Sequence, residues 1–214
     1  MLLIKLLHKF KSIGIKWMMA SLNKDVSGLF VLLNKEYNYV VCKIENRQDP
    51  RFPYSFLIDS EVDILCYQDD VMNISKIVKQ WLANKYHHLS WVEVSEEISN
   101  DHSLVYVYVC GMNHKYRCFC VDIQTASSFC MSQDSLSSYI QNRILSSNGM
   151  CYINSPKYEI PIRAYELLSH PHKIWHKDYI IMKKSDIDYS VLDLAYSNNQ
   201  ELLTNLKSLI HSCA

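Results

Sequence analysis

Glycine is nearly absent from this chain: four in 214 residues, at Gly14, Gly28, Gly111 and Gly149. A phosphate cradle made of backbone amides needs glycine where the chain turns tightly against its ligand. P-loop and dinucleotide fingerprints therefore have no support, and the G-x-S-x-G elbow of serine hydrolases is missing as well. Neither sign of charge is in excess, with Lys+Arg and Asp+Glu both at 22. A bulk nucleic-acid binder would carry a basic surplus, so that class is set aside. The eight cysteines form no C-x-x-C pair, and several lie in apolar runs such as "VVCKI" and "RCFCVDI". They read as small buried hydrophobes, kept reduced in a cytosolic protein.

Long apolar runs are also lacking. The nearest is "MLLIKLLHKFKSIGIKWMMASL", which Lys5, Lys9, Lys11 and Lys16 interrupt. It is too short to span a bilayer and has neither the continuous core nor the cleavage site of a secretory signal. Leu3, Leu6, Leu7, Phe10, Ile13 and Trp17 fall at helical spacing. Residues 2–19 thus predict a basic amphipathic helix, which packs on its own domain or lies on an anionic membrane surface. The first arrangement is the expectation.

What is present is apolar bulk, 49% of the residues, enough for a core. Residues 2–35 read as two helices broken near Asn23–Ser27. "YNYVVCKIE" and "FLIDSEVDILCY" read as strands, followed by a helix through "VMNISKIVKQWLANKY" that Asp69 or Asp70 caps. "LSWVEVS" is a third strand. "SLVYVYVC" and "YRCFCVDIQT" flank a Gly111/Asn113 turn as a hairpin. Residues 134–148 predict a helix that Gly149 ends, and residues 155–212 predict three or four helices. The expected fold is α+β: a mixed sheet of about five strands, a leading helix and a C-terminal helical segment. The expected divisions are 1–28, an N-terminal amphipathic segment; 29–150, the α/β core; and 151–214, the helical segment.

The strand "SEVDILC" carries two acids. Side chains alternate on a strand, so Glu61 and Asp63 share one side while Val62 and Ile64 share the other. The two carboxylates stand roughly 6–7 Å apart at the backbone. They repel unless a positive charge sits between them, and a divalent cation with oxygen ligands is a natural solution. Asp122, between Val121 and Ile123, has the same setting on the hairpin. If the two strands are neighbours, one face carries Glu61, Asp63 and Asp122. That set suits two-metal phosphoryl transfer, with the third acid helping to deprotonate the attacking hydroxyl. The alternative is that these acids end their strands and face water.

Two other clusters compete. Asp186-Ile187-Asp188 is a cleaner acid pair, but Ser185 and Asp188 resemble a capping box ahead of helically spaced Ile187, Val191, Leu194 and Ala195. Those aspartates are expected at a helix N-terminus. "HPHKIWHK" (170–177) sets His172 and His176 four apart, yet nothing nearby completes a zinc site. Its expected role, with Arg163, Lys173 and Lys177, is a basic face toward phosphates, or simply a solvated surface. Tyr106, Tyr108 and Tyr116 are read as sheet-packing residues.

The order "YNYVVCKIEN", loop, "EVDILCYQDD", helix, "CFCVDI" resembles divergent nucleotidyltransferase-like proteins of the polymerase-β superfold. It is most similar to small members that accompany bacterial surface-polysaccharide biosynthesis. The resemblance covers roughly residues 29–180. It implies Mg²⁺ or Mn²⁺ held by Glu61, Asp63 and Asp122, with Asp63 and Asp122 catalytic. It implies as partners a nucleoside triphosphate and a small hydroxyl-bearing acceptor such as a sugar or polyol. Two departures stand out. Glu61 replaces the usual aspartate, and no glycine lies between Gly28 and Gly111 to build the family's Gly-Ser phosphate turn. Phosphate would then fall to side chains: Lys43, Arg47 or Arg51 around the loop, and Arg163 and Lys173 in the helical segment.

Overall fold

The computed structural model describes residues 22, 25–43, 60–111, 117–146 and 149–213. The expected helix over 2–19 and the loop cations Arg47 and Arg51 lie outside the described residues. Helix α1 (Ser27–Glu36) leads into β1 (Tyr39–Cys42). Next come β2 (Ser60–Cys66), α2 (Val71–Tyr86), β3 (Val92–Ile98), β4 (Leu104–Gly111) and β5 (Arg117–Gln124). The chain continues through α3 (Gln133–Gln141), β6 (Ile144–Leu145), β7 (Tyr152–Ile153), α4 (Pro156–Ser169), α5 (Ile174–Met182), α6 (Tyr189–Ala195) and α7 (Gln200–Cys213).

The strands form one mixed sheet in the order β3-β4-β5-β2-β1-β7-β6. β2 runs parallel to β5 and β1 parallel to β7, while the remaining neighbours are antiparallel. The fold is α+β as expected, with seven strands in place of about five. The extra two, β6 and β7, are two residues each, too short to show alternation in a sequence. β6 takes chain that was expected to stay helical to 148. Helix α3 stops at Gln141, and Arg143 just beyond it reaches the start of β1. Its guanidinium donates to the Tyr39 carbonyl (3.4 Å) and to Asn38 Oδ1 (3.3 Å), and lies 4.2 Å from the centre of the Tyr152 ring. Gly149, at φ +72°, belongs to the β6–β7 turn and not to a helix end. Strand β7 pairs with β1, so the sheet runs on past residue 150.

Alternation sorts the side chains into two cores. On one face Tyr39, Val41, Val62, Ile64, Val121 and Ile123 pack on α1 and α2. Val71, Ile74, Val78 and Leu82 supply the α2 stripe at helical spacing. On the other face Val40, Cys42 and Leu65 pack on the C-terminal helices through residues such as Tyr139, Ile160, Ile180 and Leu206. Both sides of β1 are therefore covered, and all four of its residues are buried. Each fully buried Val, Leu or Ile contributes roughly 1.5–3 kcal/mol. Among the described residues, none of the buried side chains of β3, β4 or β5 joins the second core. On that part of the face stand polar groups instead, and the site is built there. Among the described residues no helix is long and apolar enough to cross a membrane.

Candidate metal centre

The parallel pairing of β2 and β5 sets Asp63 directly opposite Asp122, and Glu61 opposite Cys120. Val62, Ile64, Val121 and Ile123 turn into the first core, which forces the acids to the opposite face. One oxygen from each of Glu61, Asp63 and Asp122 lies within 4.8 Å of the other two. Among the described residues no other group of three or more histidine, cysteine or acidic side chains converges in this way. Asp63 is 3% exposed and Asp122 5%, whereas Glu61 is exposed and marks the open side.

Burial sets the electrostatics. It pushes the Asp122 carboxyl up to about 8, with the Asp63 charge adding to the effect. It pushes Asp63 up to about 6, against the pull of Lys43 in the other direction. Two donors steady these groups. Gln124 Nε2 donates to Asp63 Oδ1 at 2.6 Å, and the Cys120 thiol donates to Asp122 Oδ1 at 2.7 Å.

Lys43 is the cation at the centre. It follows β1 in the left-handed region, φ 53°, and its amide N–H donates to Glu159 Oε1 at 2.6 Å. Its ammonium lies 2.6 Å from Asp63 Oδ1 and 3.2 Å from Glu166 Oε1, with the side chain 9% exposed. Burial alone would strip its proton, but Asp63 and Glu166 outweigh burial and hold the lysine charged. Lys43, expected to face phosphate, is thus bound to the acid cluster itself.

The helical layer brings its charges to the same place. Glu166 meets Lys43, Lys173 Nζ at 3.5 Å, His170 Nδ1 at 3.6 Å and His176 Nε2 at 3.9 Å. Burial pushes the Glu166 carboxyl up, but Lys43 and Lys173 prevail and keep it below its usual range. Lys173 is half-buried and pairs with Glu166. Arg163 is not on a basic face. It is 1% exposed, with Nε donating to Glu159 Oε1 at 2.8 Å and Nη1 donating to His176 Nδ1 at 3.2 Å. An arginine can only donate, so His176 accepts at Nδ1 and carries its proton on Nε2. Burial, with Arg163 beside it, pushes His176 down to about 3, so the ring is neutral. Arg163 and His176 serve the packing of α4 against α5, and His172 precedes α5, off the face that holds His176. Asp188 stands at a helix N-terminus as expected, but as the N-cap of α6 itself, accepting from the Ser190 N–H at 3.0 Å; the Ser185–Asp188 box does not form, because the helix begins only at Tyr189.

Sequence reasoning missed Gln124, Cys120, Glu159 and Glu166. Gln124 and Cys120 share the strand parity of Asp122, a signal that was available. Nothing local marks the two glutamates, which reach Lys43 from 116 and 123 residues away.

No protein-family model matches the chain, and no curated protein matches its sequence. Among solved structures it is similar to an antigenic nucleotidyltransferase-like protein from Paracoccidioides brasiliensis. That likeness has 14% identity, covers 87% of this chain and 86% of that one, and gives a TM-score of 0.44. At that distance, function has to be argued from the site.

Proposed function

We propose that this protein is a metal-dependent nucleotidyltransferase that moves a nucleoside monophosphate from a triphosphate to a hydroxyl of a small acceptor. A sugar or polyol acceptor follows from the resemblance of its sequence to members linked with surface-polysaccharide biosynthesis. The supporting observation is the convergence of Glu61, Asp63 and Asp122 oxygens within 4.8 Å from two parallel strands. The donors fit Mg²⁺ or Mn²⁺. All three are hard carboxylate oxygens, two are buried, and burial has raised both of those above the usual carboxylate range, so they are under-compensated. When bound, such an ion offsets phosphate charge and acidifies a hydroxyl.

The chain's own groups do the rest. Asp122, whose carboxyl burial has given a raised affinity for a proton, takes the proton of the attacking hydroxyl. Asp63, braced by Gln124, holds the ligand set in place. Lys43 and Lys173 supply positive charge to the phosphates as side chains, since no glycine cradle exists, and Arg47 is proposed to assist from the loop. Arg163 acts only through Glu159, which fixes the Lys43 backbone.

A second reading is a catalytically decayed member of the same fold, acting as a binding or assembly subunit. The Lys43–Asp63 contact favours it, because a lysine already fills part of the acid cluster. Calorimetry with Mn²⁺ and each common nucleoside triphosphate, followed by pyrophosphate release from an α-labelled triphosphate over a panel of sugars and polyols, separates the two. Binding with turnover supports the enzyme. Binding without turnover supports the subunit. Absence of Mn²⁺ and triphosphate binding refutes the proposed site.

A further inference from the structure

Lys43 is anchored at its backbone and shared between two carboxylates at its tip. Its φ of 53° is a conformation a non-glycine residue adopts only when held. The holding group is Glu159, itself clamped by Arg163 Nε at 2.8 Å and Asn154 Nδ2 at 3.1 Å. From that fixed point the four-carbon stem carries one ammonium between two carboxylates on different layers, Asp63 on the sheet and Glu166 on α4. Asp63 Oδ1 accepts from both Lys43 and Gln124 at 2.6 Å each, so its oxygen is already engaged. A divalent ion taking that oxygen would meet the ammonium at contact distance, and two cations do not share such a space.

We propose that Lys43 is the resident cation of the metal-free centre: a divalent ion displaces its ammonium from Asp63 toward Glu166, where it faces the phosphates of the incoming triphosphate. This rests on the metal-centre reading above. A lysine suits the task where an arginine would not, because a point charge on a flexible stem can change partners while a planar fork is fixed by its paired bonds. Glu166, already 3.2 Å from the ammonium, retains it when Asp63 is taken, and Lys173 beside it adds positive charge. Two consequences follow. The ion alone binds weakly, since it must first break the Lys43–Asp63 contact. The ion and a triphosphate bind with positive coupling, since phosphate gives the displaced ammonium a new partner.

The test is Mn²⁺ binding to the full chain without nucleotide, followed by electron paramagnetic resonance, for wild type, Lys43→Met, Glu166→Gln and Asp63→Asn. Lys43→Met keeps the stem and removes the competitor, so Mn²⁺ affinity should rise about tenfold or more, the weight of a hydrogen bond to a charged group. Glu166→Gln removes the carboxylate that retains the ammonium, so affinity should fall. The gain in Mn²⁺ affinity brought by a non-hydrolysable triphosphate should shrink in Lys43→Met. Mg²⁺ titration of wild type labelled with [¹⁵N]lysine should shift the Lys43 Nζ signal, which keeps the test alive if Lys43→Met does not fold. If Lys43→Met binds Mn²⁺ no better than wild type while Asp63→Asn abolishes binding, displacement is wrong and the metal centre stands. A Lys43 signal unmoved at saturating Mg²⁺ also refutes displacement. If neither wild type nor Lys43→Met binds Mn²⁺, the metal centre itself fails and displacement with it.

Discussion

Asp63 and Asp122 face each other across β2 and β5, yet replacing each by asparagine should move stability by different amounts. Asp63 is partnered. Burial pushes it up to about 6, which still leaves it ionised at pH 8 against Lys43 and Gln124. Asp63→Asn leaves the Lys43 ammonium buried with Glu166 alone, a loss of about 3 kcal/mol, but it also removes a carboxylate whose ionisation burial opposes by a similar amount at pH 8, so the two effects nearly cancel. Asp122 has no such cation among the described residues; it accepts from the Cys120 thiol, and burial has pushed it from 3.8 to about 8. A carboxyl whose folded pKa is raised binds a proton that the unfolded chain has released. Its contribution to stability is therefore fullest below about pH 4 and is lost as pH rises toward 8. Each pKa unit corresponds to about 1.4 kcal/mol, and asparagine removes this loss because it does not ionise. Its amide must still be seated beside Asp63 and Glu61, so a net gain of about 2 kcal/mol at pH 8 is expected, falling to none near pH 4. For a chain of this size that is a rise in Tm of about 4–8 °C for Asp122→Asn, against a change of no more than about 4 °C for Asp63→Asn. Thermal denaturation in EDTA at pH 5 and pH 8 reads both. Added Mn²⁺ should raise the Tm of wild type and close the gap to Asp122→Asn. A fall in Tm for Asp122→Asn at pH 8, or shifts of equal size at both pH values, would refute the reasoning.

Arg163→Met should leave Glu159 buried without its cation and destabilise by about 3–5 kcal/mol; a variant of normal Tm that has lost only triphosphate affinity would instead place Arg163 at the phosphates. Lys173→Met should leave Tm unchanged within about a degree, because its ion pair is partly exposed, while weakening triphosphate binding most at low salt. Equal affinity of variant and wild type at low salt removes Lys173 from the site. Asp188→Ala should cost about 1 kcal/mol through the lost α6 cap, without changing Mn²⁺ affinity; altered Mn²⁺ binding would make the 186–188 acids ligands after all.

The acid face was legible in the chain itself. Strand alternation is a property of the backbone, so Val62, Ile64, Val121 and Ile123 between acids were enough to place Glu61, Asp63 and Asp122 on a common side once their strands became neighbours. The α2 stripe and the Asp188 cap were legible for the same reason, since helix periodicity and capping act within a few residues. That β2 and β5 are neighbours, and parallel in a register that sets Asp63 beside Asp122, was decided only by the assembled sheet. So were the end of α3 at Gln141 and the burial of Arg163, which sequence reasoning had set facing phosphate. Most of all, the partner of Lys43 was invisible. Its contacts with Asp63, Glu159 and Glu166 join residues 20 to 123 positions apart, and no periodicity reaches that far. Local backbone geometry determines which side a residue faces; only packing of distant segments determines what it meets there.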